Sequence, residues 1–244
     1  MATLEFLYPD WAAPPGVCAA MTTRPGGVSR EPYASFNLAQ HVGDDPAAVA
    51  ENRRRLRAAL ELPAEPTWLD QVHGARVAVL PSAAEGPADG VVTFERGTVC
   101  AVLVADCLPV FLASRSGDRV GIAHAGWRGL VAGVVEATIA ALDCEPADLV
   151  AWLGPSIGRD AFEVGVEVRE AFLAGDPGAA AAFRAGRGDR WLADLPALAR
   201  RRLAAAGIDA VTGCDLCTHS DPASFYSYRR DGATGRMAAL AWLA

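Results

Sequence analysis

Apolar and polar positions along the 244-residue chain alternate in short blocks, and the clearest blocks are strand-like. A β-type run over residues 98–104 delivers Asp106 and Cys107. A second, over 110–113, enters the polar turn Ser114-Arg115-Ser116-Gly117-Asp118, and a third, over 119–123, ends at His124. Gly-Asp between two apolar runs predicts a hairpin, with Gly117 free to take a positive φ. Folding the segment about Ser116 and Gly117 brings Cys107 and His124 to one open end. The glycine-bounded turn Gly126-Trp127-Arg128-Gly129 follows directly.

Further strands are predicted at 4–7, 17–21, 75–80, 149–153, 208–211 and 237–242. Asp45 caps a helix that starts at Pro46 and runs to about Leu60. Val131, Val134, Val135, Thr138 or Ile139, and Leu142 recur at helical spacing and predict one amphipathic helix. Other helices are expected near 167–173 and from the cap Asp194 through Pro196 to the stop at Gly207. The Gly- and Ala-rich segment 174–190 reads as a short helix plus a surface loop. Strands outnumber helices, and hairpins mix with strand–helix units. This predicts an α+β fold with mixed sheets rather than a doubly wound parallel one. With no linker-like stretch or internal repeat, residues 1–244 read as one domain.

Composition narrows the function. Apolar residues make up 52% and charged residues 21%, as in ordinary globular proteins. No apolar stretch is long enough to span a membrane, and residues 1–6 lack a signal-peptide pattern, so the cytoplasm is the expected compartment. A net charge of −7 argues against a nucleic-acid or anionic-membrane partner. All 22 basic residues are arginine. Without lysine, Schiff-base chemistry, a Walker-type phosphate lysine and a lysine base are excluded, and an anionic substrate must be held by arginine, backbone amides or metal. Six cysteines occur in a chain with no visible export signal, so they are expected to be reduced, with Cys18, Cys100 and Cys144 as small buried hydrophobes.

Four histidines are present, at 41, 73, 124 and 219. His73, Cys107 and His124 form a His₂Cys set suited to zinc with a fourth position open. Cys107 with His124 also suits a nucleophile pair, and structural roles for these residues stay open beside both. Asp106 could orient a histidine, act as acid or base, or cap a strand end. Gly126 to Gly129 places amides and Arg128 at a helix start, an anion site or a tight turn with a surface arginine. Cys214-Asp215-Leu216-Cys217-Thr218-His219 reads as a strand end rather than a second zinc site. The Pro-Gly-Gly loop within residues 22–29 reads as a connection, although it lets backbone approach a ligand closely. A G-x-G-x-x-G fingerprint, a P-loop, H-E-x-x-H and the zinc-deaminase pair are absent.

At these residues the chain resembles the laccase-domain proteins, also called multicopper polyphenol oxidases or purine nucleoside phosphorylases, whose bacterial members include a peptidoglycan-editing factor. The stretches are Thr22-Thr23-Arg24-Pro25-Gly26-Gly27-Val28-Ser29, Asn37-Leu38, Val42-Gly43-Asp44, Gln71-Val72-His73-Gly74 and Ala105-Asp106-Cys107-Leu108-Pro109. They continue with His124-Ala125-Gly126-Trp127-Arg128-Gly129, Gly154-Pro155-Ser156-Ile157-Gly158, Cys217-Thr218, and Ser227-Tyr228-Arg229-Arg230 with Gly235-Arg236.

The resemblance implies a single-domain four-layer α/β/β/α sandwich and one zinc ion held by His73, Cys107 and His124, with copper as an alternative occupant. It implies phosphorolysis of adenosine, inosine and S-methyl-5'-thioadenosine, with adenosine deamination as a side activity. Phosphate would attack the ribose anomeric carbon, with Arg128 or another loop arginine countering its charge. Deamination would need a base other than the usual one, such as Asp106. The partners expected are a nucleoside and phosphate, and the chain is expected as a monomer or homodimer. A Cys107–His124 amidase editing peptidoglycan precursors is the alternative. A multicopper cluster is disfavoured, because it needs about ten histidines with paired H-x-H segments.

Overall fold

The structure is a computed structural model describing residues 3–82, 86–213 and 215–244. In chain order the strands are β1 (Phe6–Leu7), β2 (Val17–Thr22), β3 (Thr67–Trp68), β4 (Val77–Leu80), β5 (Gly90–Thr93), β6 (Val99–Val104), β7 (Leu108–Ser114) and β8 (Val120–Ala125). They continue with β9 (Leu149–Leu153), β10 (Glu163–Val164), β11 (Phe183–Ala185), β12 (Trp191–Ala193), β13 (Val211–Gly213) and β14 (Met237–Leu243). The helices are α1 (Pro46–Ala59), α2 (Trp127–Ala132), α3 (Val134–Ala141), α4 (Val166–Gly175), α5 (Leu195–Ala205) and the single turn α6 (Tyr228–Asp231).

One sheet has the order β1-β2-β14-β6-β3, a second β13-β9-β7-β8-β5-β4, and a small third β10-β12-β11. The first two are mixed: β3 with β6, β4 with β5 and β13 with β9 are parallel, and the other pairs are antiparallel. The expectation was an α+β fold with mixed sheets; the structure is mixed α/β, with two mixed sheets and one antiparallel sheet. No helix among the described residues is long and apolar enough to cross a membrane.

The continuous apolar runs are explained by burial on both faces. Side chains alternate across a strand, so β7 sends Leu108, Val110 and Leu112 into a cluster shared with α2, α3 and α5, and Phe111 and Ala113 into another. That second cluster also receives Cys100, Val102 and Val104 of β6, so it joins the two large sheets. From its other face β6 sends Val99, Ala101 and Leu103 against Leu56 of α1. Cys100 is buried as expected, whereas Cys18 and Cys144 are half-buried, and no disulfide occurs among the described residues.

The helix at 46–60 forms as read: the Asp45 carboxylate accepts from Ala47 N–H, and Pro46 takes the first turn. Its buried Asn52 donates to Ser29 Oγ and to the Ser35 and Asn37 carbonyls and accepts from Val28 N–H. These bonds fix the Pro-Gly-Gly loop. A Cβ on Gly27 would lie 2.1 Å from the Ser35 carbonyl, so the close approach there serves the chain's own backbone rather than a ligand.

The structure corrects several readings. The amphipathic pattern over 131–142 is not one helix: Gly133, at φ +90°, ends α2 and starts α3. Segment 174–190 yields a 3₁₀ turn over Pro177–Ala182 and then β11, which pairs with β12. The strand expected at 208–211 lies further along, as β13, and shares only Val211 with the expected run. β5 was missed because it starts at Gly90 after Gly86-Pro87, which reads as loop.

Phe111 is fully buried, with ring centroids 5.1 Å from Trp152 and 6.4 Å from Trp11. Phe111→Ala is expected to lower stability by about 3–5 kcal/mol, read by urea unfolding. Gly133→Ala, which forces a side chain into the left-handed region, is expected to cost about 1–2 kcal/mol.

Candidate metal centre and its pocket

The β7–β8 hairpin forms with Pro109 opposite His124 and Leu108 opposite Ala125. Cys107, one residue before β7, therefore faces Gly126, one residue after β8. Gly117 at the far end takes φ +74°. A Cβ on Gly126 would lie 2.8 Å from Cys107 Sγ and 3.2 Å from His73 Cδ2, so only glycine leaves room for the cluster.

His73 arrives from the turn before β4, in a left-handed conformation at φ +61°. That turn is held by a residue the sequence reading did not single out. The Asp89 carboxylate, 1% exposed, accepts from the backbone N–H groups of Val72 (3.1 Å), His73 (2.9 Å) and Gly74 (2.7 Å). It also pairs with His124 Nδ1 at 2.8 Å. The acid precedes β5, and β5 runs antiparallel to β8 with Gly90 opposite Ala123, which sets Asp89 beside His124. Only the unread strand carried that signal.

With Nδ1–H given to Asp89, His124 turns Nε2 toward the thiol. The ligand atoms of His73, Cys107 and His124 lie within 4.8 Å of one another, and His73 Nε2 is 3.8 Å from Cys107 Sγ. Bonds of about 2.0–2.3 Å put tetrahedral zinc ligands about 3.5 Å apart, so the donor set and its spacing fit a metal ion. The carboxylate behind His124 is the usual outer partner of a ligating histidine. Burial opposes a Cys107 thiolate, but the adjoining His124 and His73 outweigh it and bring the thiol down to about 6. Burial likewise opposes a charged His124, but Cys107 and Asp89 raise it to about 9. Burial also works against ionised Asp89, and its bonds from His124 and Gly74 hold it below the usual range.

The three residues border a cavity of about 590 Å³. Arg128, stacked 4.5 Å over Trp127, lines it as an exposed side chain on the six-residue α2. Arg229, Arg236, Tyr228 and His41 also reach it, from segments the sequence reading gave no role in the site. Asp106 lies at the border, buried and at φ +88°. Its carboxylate accepts from Thr218 Oγ1 and from Arg229 N–H, each at 2.7 Å, so it secures α6, and the carboxylate beside His124 is Asp89.

Cys217 and His219 stand outside the metal group. Cys217 sits at an isolated bridge with Ser156, outside the strands, its sulfur accepting from Gly158 N–H and Ser220 Oγ. Cys214 lies outside the described residues.

Comparison with known proteins gives a consistent result. The sequence profile of the family described as multi-copper polyphenol oxidoreductase laccase matches residues 18–244. The chain is 52% identical over 241 residues to a protein of Escherichia coli K12 named purine nucleoside phosphorylase YfiH, covering 98% of this chain and 99% of that one. It is 52% identical over 239 residues to purine nucleoside phosphorylase PA4543 of Pseudomonas aeruginosa, covering 98% of each. Among solved structures, Neisseria meningitidis protein NMB0706 superposes with a TM-score of 0.93 at 47% identity, covering 98% of each chain. YlmD of Geobacillus stearothermophilus superposes with a TM-score of 0.89 at 31% identity, covering 98% of this chain and 99% of that one. A family profile matched through the His73, Cys107 and His124 segments, and relatives alike over nearly their whole length, place this chain in the multi-copper polyphenol oxidoreductase laccase family.

Proposed function

We propose that this protein is a zinc-dependent purine nucleoside phosphorylase. The observation that carries the reading is the convergence of His73, Cys107 and His124 on a cavity that also receives three arginine side chains. The relatives named as purine nucleoside phosphorylases supply the substrate class. The cavity volume suits a nucleoside with phosphate. Adenosine, inosine and S-methyl-5'-thioadenosine are the proposed substrates, with adenosine deamination as a side activity. We place the enzyme in the cytoplasm as a monomer or homodimer, with residues 1–244 as one domain. Four-layer α/β/β/α stacking is supported by the apolar cluster joining the two large sheets and by helices packed on their other faces.

Zinc, or copper in its place, would be held by His73, Cys107 and His124 and would supply Lewis acidity toward a substrate atom. The chain itself does the rest. Arginines Arg128, Arg229 and Arg236 counter the charge of phosphate as its oxygen attacks the ribose anomeric carbon and the bond to the purine nitrogen breaks. Leu103, Trp127 and Phe162 give the cavity an apolar wall that keeps water from competing with phosphate. Asp106, with both carboxylate oxygens already accepting, fixes the wall carrying Arg229; to serve as the base in deamination it would first have to exchange one of those bonds.

The lowered thiol of Cys107 favours a second reading, a metal-free Cys107–His124 hydrolase. Four histidines in the whole chain leave polyphenol oxidation by a multicopper cluster without ligands.

Zinc-loaded protein with phosphate and inosine is expected to release hypoxanthine and ribose 1-phosphate, and Cys107→Ala or His73→Ala to reduce release to background. Activity that survives complete metal removal but is lost on thiol alkylation would establish the hydrolase reading instead.

In metal-free protein, alkylation of Cys107 by iodoacetamide is expected to rise with pH through about 6 and level off above it, since the thiolate reacts. Cys100, buried and shifted upward, is expected to stay unmodified. Mass spectrometry of the two peptides reads this, and a Cys107 midpoint near the ordinary thiol value of about 8.5 contradicts it.

Asp89→Asn is expected to weaken zinc binding by about 10- to 100-fold in a chelator competition.

A further inference from the structure

The arginines in and beside the cavity are not equivalent, and the difference locates an oxyanion subsite. Arg230 is fully engaged: its guanidinium meets Asp231 and the carbonyls of Thr218, His219 and Phe225, so it braces the loop. Its neighbour Arg229 is held at one point only, Nη1 on the Glu163 carbonyl at 2.6 Å, with the guanidinium over the Phe162 ring. Arg236 is held in the same manner, Nη1 on the carbonyls of Thr234 (2.8 Å) and Gly235 (2.9 Å). In both, the Nε–Nη2 edge makes no hydrogen bond to any described residue, and no described carboxylate lies within 4.0 Å. That edge is the one that receives two oxygens of a phosphate or carboxylate in parallel.

Burial separates Arg236 from the rest. It is half-buried in the cavity, and desolvation pushes its guanidinium below the usual range, with Cys107 and Asp106 only partly offsetting this. The carboxylate that would neutralise it, Asp106, is committed to Thr218 and to the Arg229 backbone. A half-buried cation without an acid partner is costly. An incoming oxyanion removes that cost. Arg128, exposed and stacked on Trp127, carries no such penalty, because solvent already satisfies it.

We infer that Arg236, seconded by Arg229, forms the subsite for the phosphate co-substrate beside the His73, Cys107 and His124 cluster. The assignment rests on the phosphorylase reading for the identity of the anion, whereas the subsite for a tetrahedral oxyanion stands on the cavity itself.

The test uses zinc-loaded full-length protein and inorganic phosphate as the probe. Calorimetric titration is run without nucleoside, and phosphorolysis of inosine is measured in parallel. Arg236→Gln is expected to weaken phosphate binding and raise the KM for phosphate by roughly 10- to 100-fold, leaving the KM for inosine within about threefold. Arg229→Gln shifts the same constants in the same direction by less. Arg236→Lys restores only part of the loss, because an ammonium lacks the two-point edge. Arg115→Gln, in the turn at the opposite end of the β7–β8 hairpin, leaves both constants unchanged. Wild-type phosphate binding in Arg236→Gln and Arg229→Gln, a loss confined to Arg128→Gln, or no phosphate binding by the parent protein overturns the subsite. Phosphorolysis that continues with an unaltered phosphate KM in Arg236→Gln removes the subsite and keeps the phosphorylase. Phosphate binding that depends on Arg236, in a protein releasing no purine, keeps the subsite and removes the phosphorylase.

Discussion

A carboxylate buried as deeply as Asp89 persists in ionised form only if donors surround it, and the fold supplies four: three consecutive backbone N–H groups and one imidazole. These donors come from two places far apart in sequence, the turn before β4 and the last residues of β8. One side chain thus compensates the unfavourable left-handed backbone of His73 and selects the tautomer of His124. The spacing of the two histidines depends on it. The third member, Cys107, is brought to them by hairpin register, and Gly126 keeps the space between them empty.

The site then has two poles. At one, nitrogen and sulfur donors converge with a shared charge distribution in which thiol and imidazole stabilise each other's ionised forms. At the other, two guanidinium groups among the lining residues are anchored through Nη1 to backbone carbonyls, and their Nε–Nη2 edges meet no described hydrogen-bond partner. A soft cation suits the first pole and an oxyanion the second. A neutral polyphenol would engage only one of them, whereas a nucleoside with phosphate would engage both, and this is why the phosphorylase reading accounts for more of the cavity than an oxidase reading does.

The readable parts of the sequence were those governed by local physics. The Gly117 hairpin, the Asp45 cap with Pro46, and the buried runs of β6 to β9 follow from turn geometry, capping and side-chain alternation, and the hairpin alone brought Cys107 and His124 to one end. His73 joined them only by donor type, as one of several open readings, because its approach depends on a turn pinned from β5. Asp89 stayed hidden for that reason: in Gly86-Pro87-Ala88-Asp89-Gly90 it looks like a loop acid, and only strand pairing shows what it faces. The break at Gly133 was also hidden, since the apolar period continues through it while the backbone does not. Arg229 and Arg230 are indistinguishable as a pair in sequence, and their separate duties come from tertiary partners.

The most direct test of the central claim is anomalous diffraction at the zinc edge from crystals of the zinc-loaded protein. One peak per chain is expected, bonded to Nε2 of His73, Sγ of Cys107 and Nε2 of His124, with the Asp89 contact to His124 Nδ1 retained. A peak elsewhere, or none at full zinc loading with Cys107 and His124 still paired directly, would contradict the claim.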